Sequence, residues 1–119
     1  MKRDWELIRL ILMKLEECES SAGVLRSSDV EGYDAEIVSY HMWLLKGGGL
    51  ITAVCKEAVA KPVHCIAQNL TWEGHEFLDK VRSHTAWNKV KGLAREKGLD
   101  LTLDVIKLAA KVAIESVLR

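Results

Sequence analysis

The chain has a single proline among 119 residues, no excess of either charge and only three cysteines. With 49% hydrophobic residues, that scarcity of proline excludes a disordered or low-complexity chain, and the length suits one compact domain. Seventeen Lys/Arg balance seventeen Asp/Glu, so no global positive field announces a nucleic-acid partner. Cys18, Cys55 and Cys65 are odd in number and lack CxxC spacing, which predicts reduced thiols in a reducing, cytoplasmic compartment rather than a disulfide framework. Long apolar runs are missing as well. The richest segment, 103–118, is too short to span a bilayer and carries Lys107 and Lys111. The opening MKRDWELIRLIL is interrupted by Glu6 and Arg9 and no small-residue cleavage site follows, so it is not expected to act as a signal peptide. Phosphate loops, nucleophile elbows and dinucleotide fingerprints are absent. GGG at 47–49 lies between helix and strand, the wrong order for a phosphate cradle.

What is present is strongly patterned. Apolar residues at 5, 8, 11, 12 and 15 make one stripe of a helix over 4–18, with Asp4 as its cap. Small and polar residues over 19–32 break that period and predict a loop, with room for a short strand or turn around Val24 to Val30. A second helix starts at the N-cap residue Asp34, buries Val38, Met42 and Leu45, and stops at Gly47, Gly48 and Gly49, at least one of them left-handed. The β-branched stretches 50–57 and 63–70 flank AVAKP and predict a two-stranded hairpin with a five-residue loop, where Pro62 fits an edge or turn. Helices follow over 71–82, 86–97 and 102–118.

The segment LTWEGHEFLDKVR, 70–82, raises the question of a catalytic centre, because HEFLD is one residue short of the HExxH zinc motif. Its second histidine is replaced by Asp79 and no third ligand follows at a recognised spacing. Helix physics accounts for the rest: Thr71 caps, Glu73 and Glu76 sit near the positive end of the macrodipole, and Gly74 shares the buried face with Phe77, Leu78 and Val81. His75 is left as a boundary residue, able to bond Asp79 across one turn. His64, Cys65 and Cys55 form a second conceivable metal cluster, but neighbours on a strand point to opposite faces, which favours buried apolar cysteines. No catalytic residue, metal or cofactor is expected, and the chain is read as a non-enzyme.

Charge is unevenly spread. Residues 1–60 hold seven Lys/Arg and ten Asp/Glu, a net of −3, and residues 61–119 hold ten and seven, a net of +3. The densest basic stretch is 79–97, where six Lys/Arg, Lys89 and Lys91 among them, oppose Asp79 and Glu96. It is either an electrostatic footprint or the wet face of a helix that buries Trp87, Val90 and Ala94. In 103–119, eleven residues are Leu, Val, Ile or Ala, and Asp104, Lys107, Lys111, Glu115 and Arg119 share one narrow stripe. A small domain has little to cover such a helix with, so self-association is expected.

VSYHMWLLKGGGLI, 38–51, resembles the recognition helix and following turn of winged-helix repressors, which often read V-S-x-H-L-x-x-L-x-x-x-G-L-I. The hairpin would be the wing, and LTWEGHEFLD is similar to the close of the wing in such regulators. Nearly the whole chain also resembles a bacterial and prophage-associated family known as domain of unknown function 2513, which brings no catalytic residues with it. The resemblance implies a mostly helical α+β fold: a winged helix-turn-helix-like core over 1–82 with a two-stranded wing, and a C-terminal helical extension over 83–119. It implies double-stranded DNA as partner, met by Ser39, Tyr40, Trp43 and Lys46 on the groove-facing side and by Lys56 and Lys61 on the wing. Lys89 and Lys91 would add phosphate contacts, and the terminal helices would pair two copies into a homodimer. Two departures favour the alternative of a protein–protein interaction module on the same fold. SSDVEGYD holds no amphipathic helix before the recognition helix, and that helix, with Asp34 and Glu36 against Lys46, nets −1.

Overall fold

The computed structural model describes residues 2–18, 23–59 and 61–118, the side chains of 61, 63 and 116–118 lying outside the description. The fold is α+β, with five α-helices and one three-stranded antiparallel sheet among the described residues. The chain divides into two compact units, 1–76 and 77–119.

In the first unit, α1 (Trp5–Glu17) begins where the Asp4 carboxylate accepts the backbone N–H groups of Glu6 and Leu7 at 3.0 and 3.2 Å. It buries Leu7, Ile8, Ile11, Leu12 and Leu15 against α2 and β3, each contributing about 1.5–3 kcal/mol. The loop that follows contains both a strand and a turn. The strand β1 (Leu25–Arg26) pairs with β3, and a single 3₁₀ turn, Ser27–Asp29, is closed by the Asp29 carboxylate accepting the Arg26 N–H at 2.8 Å.

Helix α2 (Ala35–Gly47) buries Val38, Met42 and Leu45 as its spacing predicts. Asp34 occupies the N-cap position, but its side chain makes no capping bond, contrary to expectation. The glycine stop is a Schellman turn: Leu50 N–H bonds the Leu45 carbonyl, Gly49 N–H bonds the Lys46 carbonyl, and Gly49 takes φ +80°. That turn is also the landing point for the start of α3 (Trp72–Val81). Thr71 Oγ1 donates to the Gly49 carbonyl at 2.6 Å and accepts the Gly74 N–H at 3.0 Å, while Thr71 N–H bonds the Leu50 carbonyl. Gly74 therefore lies directly on the Leu50 carbonyl, and a Cβ there would collide with that oxygen.

The hairpin is tighter than predicted. Strand β2 (Ile51–Ala58) and strand β3 (Lys61–Leu70) extend into the segment read as loop, leaving Val59 fully outward with φ 51°. Pro62 pairs with Glu57 beside a bulge, several residues from the short stretch where β1 flanks β3, so its missing N–H costs no ladder bond to β1. The sheet order is β1-β3-β2. Cys55 and Cys65 stand directly opposite, 4.1 Å apart at Cα, and are joined by a disulfide. This corrects the expectation of three thiols: Cys18 alone is free. The register that places the two sulfurs together is set by the hairpin turn, which a spacing rule does not encode.

The second unit holds the last turn of α3 and the helices α4 (His84–Glu96) and α5 (Leu103–Leu118), which pack on each other. Ser83 caps α4 by accepting the Ala86 N–H at 2.9 Å, and Thr102 caps α5 by accepting the Val105 N–H at 3.2 Å. The predicted stripe of Trp87, Val90 and Ala94 is buried, as are Ile106, Ala109 and Ala110. Asp79, weighed above as a partner for His75, accepts Arg82 at 2.8 Å instead.

Two glycines in helices provide opposite controls on this packing. Gly74→Ala is expected to destabilise the chain by about 1–3 kcal/mol through overpacking against Leu50. Gly92→Ala, whose Cβ would meet nothing within 4 Å, is expected to stabilise it by about 0.5–1 kcal/mol through helix propensity. Urea unfolding of both variants measures the difference, and equal midpoints would contradict the close contact.

Candidate functional site

The surface implied for recognition is the outer face of α2, and its placement depends on two buried polar side chains. Ser39 is fully buried and its hydroxyl accepts the Cys65 N–H at 3.2 Å, so it ties α2 to the central strand. His41, 1% exposed, accepts the Asp4 N–H on Nε2 at 2.8 Å, and its Nδ1 therefore carries the proton given to the Ile37 carbonyl, also 2.8 Å away. The helix is thereby fastened to β3 on one side and to the start of α1 on the other. The Ser39 placement overturns its expected role: it cannot contact a groove because β3 crosses that position. His41 was not singled out by spacing, since a histidine inside an apolar stripe carries no mark of its partner.

The exposed arc that remains is aromatic. Tyr40 and Trp43 are half-buried, with ring centroids 6.1 Å apart. Trp43 Nε1 donates to Glu57 Oε1 on β2 at 2.8 Å, so the indole is tied to the hairpin. Trp43, Leu44, Lys46 and Gly47 line an open groove of about 390 Å³. Lys46 is exposed at its rim.

The remaining predicted cations are not gathered around it. Lys56 is exposed opposite His64; with Cys65 turned toward Ser39, the pleat sends 56 and 64 to the sheet face away from α2. Lys61 begins β3, and its side chain lies outside the described residues. Lys89 and Lys91 belong to the second unit. Lys89 is exposed, whereas the Lys91 ammonium stands 5.5 Å from the Trp87 ring centroid, a cation–π contact. The division into units sharpens the charge asymmetry: residues 1–76 carry eight Lys/Arg and twelve Asp/Glu, a net of −4, and residues 77–119 carry nine and five, a net of +4.

His75, the boundary residue of the segment 70–82, is exposed in a groove of about 340 Å³ with Leu15, Glu16, Cys18, Asn69 and Leu70. Among the described residues no group of three or more His, Cys, Asp or Glu side chains is placed to hold a metal ion. None of their helices is long and apolar enough to cross a membrane.

If Ser39 and His41 serve the frame, their removal should cost stability. Ser39→Ala leaves the buried Cys65 N–H without an acceptor and His41→Ala leaves the partly buried Asp4 N–H so, and each is expected to lose about 1–3 kcal/mol. Lys46→Ala should stay within about 0.5 kcal/mol of the parent. Chemical denaturation of the three variants checks this, and an unchanged midpoint for Ser39→Ala would return that residue to the surface.

Comparison with known proteins agrees with the whole-chain resemblance. No solved structure matches the chain. An uncharacterised protein from Haemophilus influenzae strain Rd is 46% identical over 118 residues, covering 99% of both chains. The model of the family described as "Hypothetical protein (DUF2513)" matches residues 2–100, and the chain therefore belongs to that family.

Proposed function

We propose that the chain is a non-enzymatic regulatory module of winged-helix type whose α2 face binds a protein partner, acting as a homodimer. The winged-helix reading is supported by the order helix, short strand, turn, helix, hairpin, and by a sheet ordered β1-β3-β2 with α2 seated on β3 and β2. The helix that normally precedes a recognition helix is reduced here to the turn Ser27–Asp29.

The choice of a protein partner rests on one observation. The open face of α2 presents Tyr40, Trp43 and Leu44 with Lys46 as its single cation, on a unit of net charge −4. Half-buried aromatics with few charges are the usual anchors of protein interfaces, whereas duplex binding draws most of its affinity from phosphate neutralisation. Double-stranded DNA is the second reading. It is favoured by the net +4 of the second unit, where the exposed Lys89 would supply phosphate contact while Tyr40, Trp43 and Lys46 met the groove and Lys56 and Lys61 the flank.

Titration of the full chain against mixed-sequence duplex at low and moderate salt separates the two. The protein reading expects no salt-sensitive binding. Binding that weakens steeply with salt and is reduced by both Tyr40→Ala and Lys89→Glu would replace it with the DNA reading.

A further inference from the structure

We propose that the Cys55–Cys65 disulfide is a reversible redox switch that sets whether the Trp43 indole is tied to the hairpin or free. It goes beyond the functional reading and holds whichever partner the α2 face takes.

The two sulfurs have unequal surroundings. Cys65 is fully buried, its N–H is given to the Ser39 hydroxyl at 3.2 Å, and its Sγ stands 3.3 Å from the Ser39 carbonyl oxygen. A disulfide sulfur has no hydrogen to give that oxygen, whereas a thiol has one. An acceptor for the reduced state is thus already in place, and opening the bridge leaves no buried donor at Cys65 without a partner. Cys55, directly opposite on β2, is only half-buried, so a thiolate from solvent reaches the bridge from that side.

The reductant required is a dithiol. Its thiolate attacks Cys55 Sγ, the S–S bond breaks, and the electron pair passes to Cys65 Sγ, which takes a proton and donates its S–H to the Ser39 carbonyl. The second thiol of the reductant then attacks the reductant's own sulfur in the mixed disulfide and releases Cys55. Two protein thiols and a cyclic disulfide result, with two electrons and two protons transferred.

What the bridge holds is the outer hairpin. Beyond it, toward the turn, lie the pairs Lys56↔His64, Glu57↔Pro62 and Ala58↔Lys61, with a register shift before Glu57 and a proline that gives no N–H to the ladder. Lys56, Glu57, Ala58 and Val59 are all exposed, so burial adds little to that pairing. The disulfide closes a loop across a sequence separation of 10, and without it the entropy of that loop opposes the pairing. Glu57 lies inside the loop, and its carboxylate accepts the Trp43 Nε1–H at 2.8 Å in an exposed contact. In the oxidised chain the bridge keeps that carboxylate at the indole. In the reduced chain the outer hairpin loosens and the indole N–H is released, while the bonds between Ser39 and Cys65 keep α2 in place. The switch changes what α2 presents without moving the helix.

NMR of the indole N–H groups of the full chain, paired with thiol titration, tests this before and after dithiothreitol in the absence of denaturant. The accessible thiols should rise from Cys18 alone to all three cysteines. The Trp43 resonance, identified by its loss in Trp43→Phe, should shift while those of Trp5, Trp72 and Trp87 stay, and oxidised glutathione should reverse the change. Cys55→Ala, which keeps the Cys65 thiol, and Glu57→Ala should each place the Trp43 resonance near its reduced position without any reductant. Three thiols in the air-oxidised chain, or a bridge that opens only in denaturant, would overturn the proposal. So would reduction that leaves the Trp43 resonance unmoved, or that unfolds the chain, since the bridge would then be a fixed staple.

Discussion

The position of α2 is the constraint on which the first unit depends, and two uncharged hydrogen-bonding side chains fix it. A helix held by apolar packing alone can slide or rotate by small steps at modest cost, because dispersion and area burial are weakly directional. Ser39 on the buried Cys65 N–H and His41 on the partly buried Asp4 N–H remove that freedom, because any shift of α2 takes an acceptor away from a backbone donor. The Schellman turn then delivers the chain into β2, and its Gly49 and Leu50 carbonyls receive Thr71 at the start of α3. One helix is thus coupled to α1, to the sheet and to the exit from the hairpin.

That arrangement also selects what remains visible. With Val38, Ser39, His41, Met42 and Leu45 committed inward, the open arc is centred on Tyr40 and Trp43, and the Glu57 carboxylate holds the indole in place. An indole already bonded at its one donor has little left with which to read a base edge, but it keeps a broad apolar face for a protein surface. Charge follows the same division. The unit bearing the aromatic arc is acidic and the unit bearing the α4–α5 hairpin is basic.

Much of this was legible in the residues because each signal was local. The stripes of α1 and α4, the caps Asp4, Thr71 and Thr102, the glycine stop and the close approach at Gly74 all follow from helix period, hydrogen-bond supply at helix ends and the absence of a Cβ. Their structural counterparts lie where the period puts them, within a residue or two. The failures share a cause. Asp34 had the right type and position for a cap, yet its side chain makes no capping bond. Ser39 looked like a surface hydroxyl because it flanks the buried stripe, and only the path of β3 across it makes it core. AVAKP has turn composition and predicts too long a loop, whereas the bulge beside Glu57 lets Pro62 stay in the strand.

By itself, then, the sequence determined the class of each element, the faces that must be buried and the uneven spread of charge, since period, capping and composition act over a few residues. Tertiary structure alone decided the partners of Ser39 and His41, the union of Cys55 with Cys65 and the isolation of Lys56 from the α2 face. Each of those depends on strand register or on the meeting of segments more than a turn apart, and neither is written in local spacing.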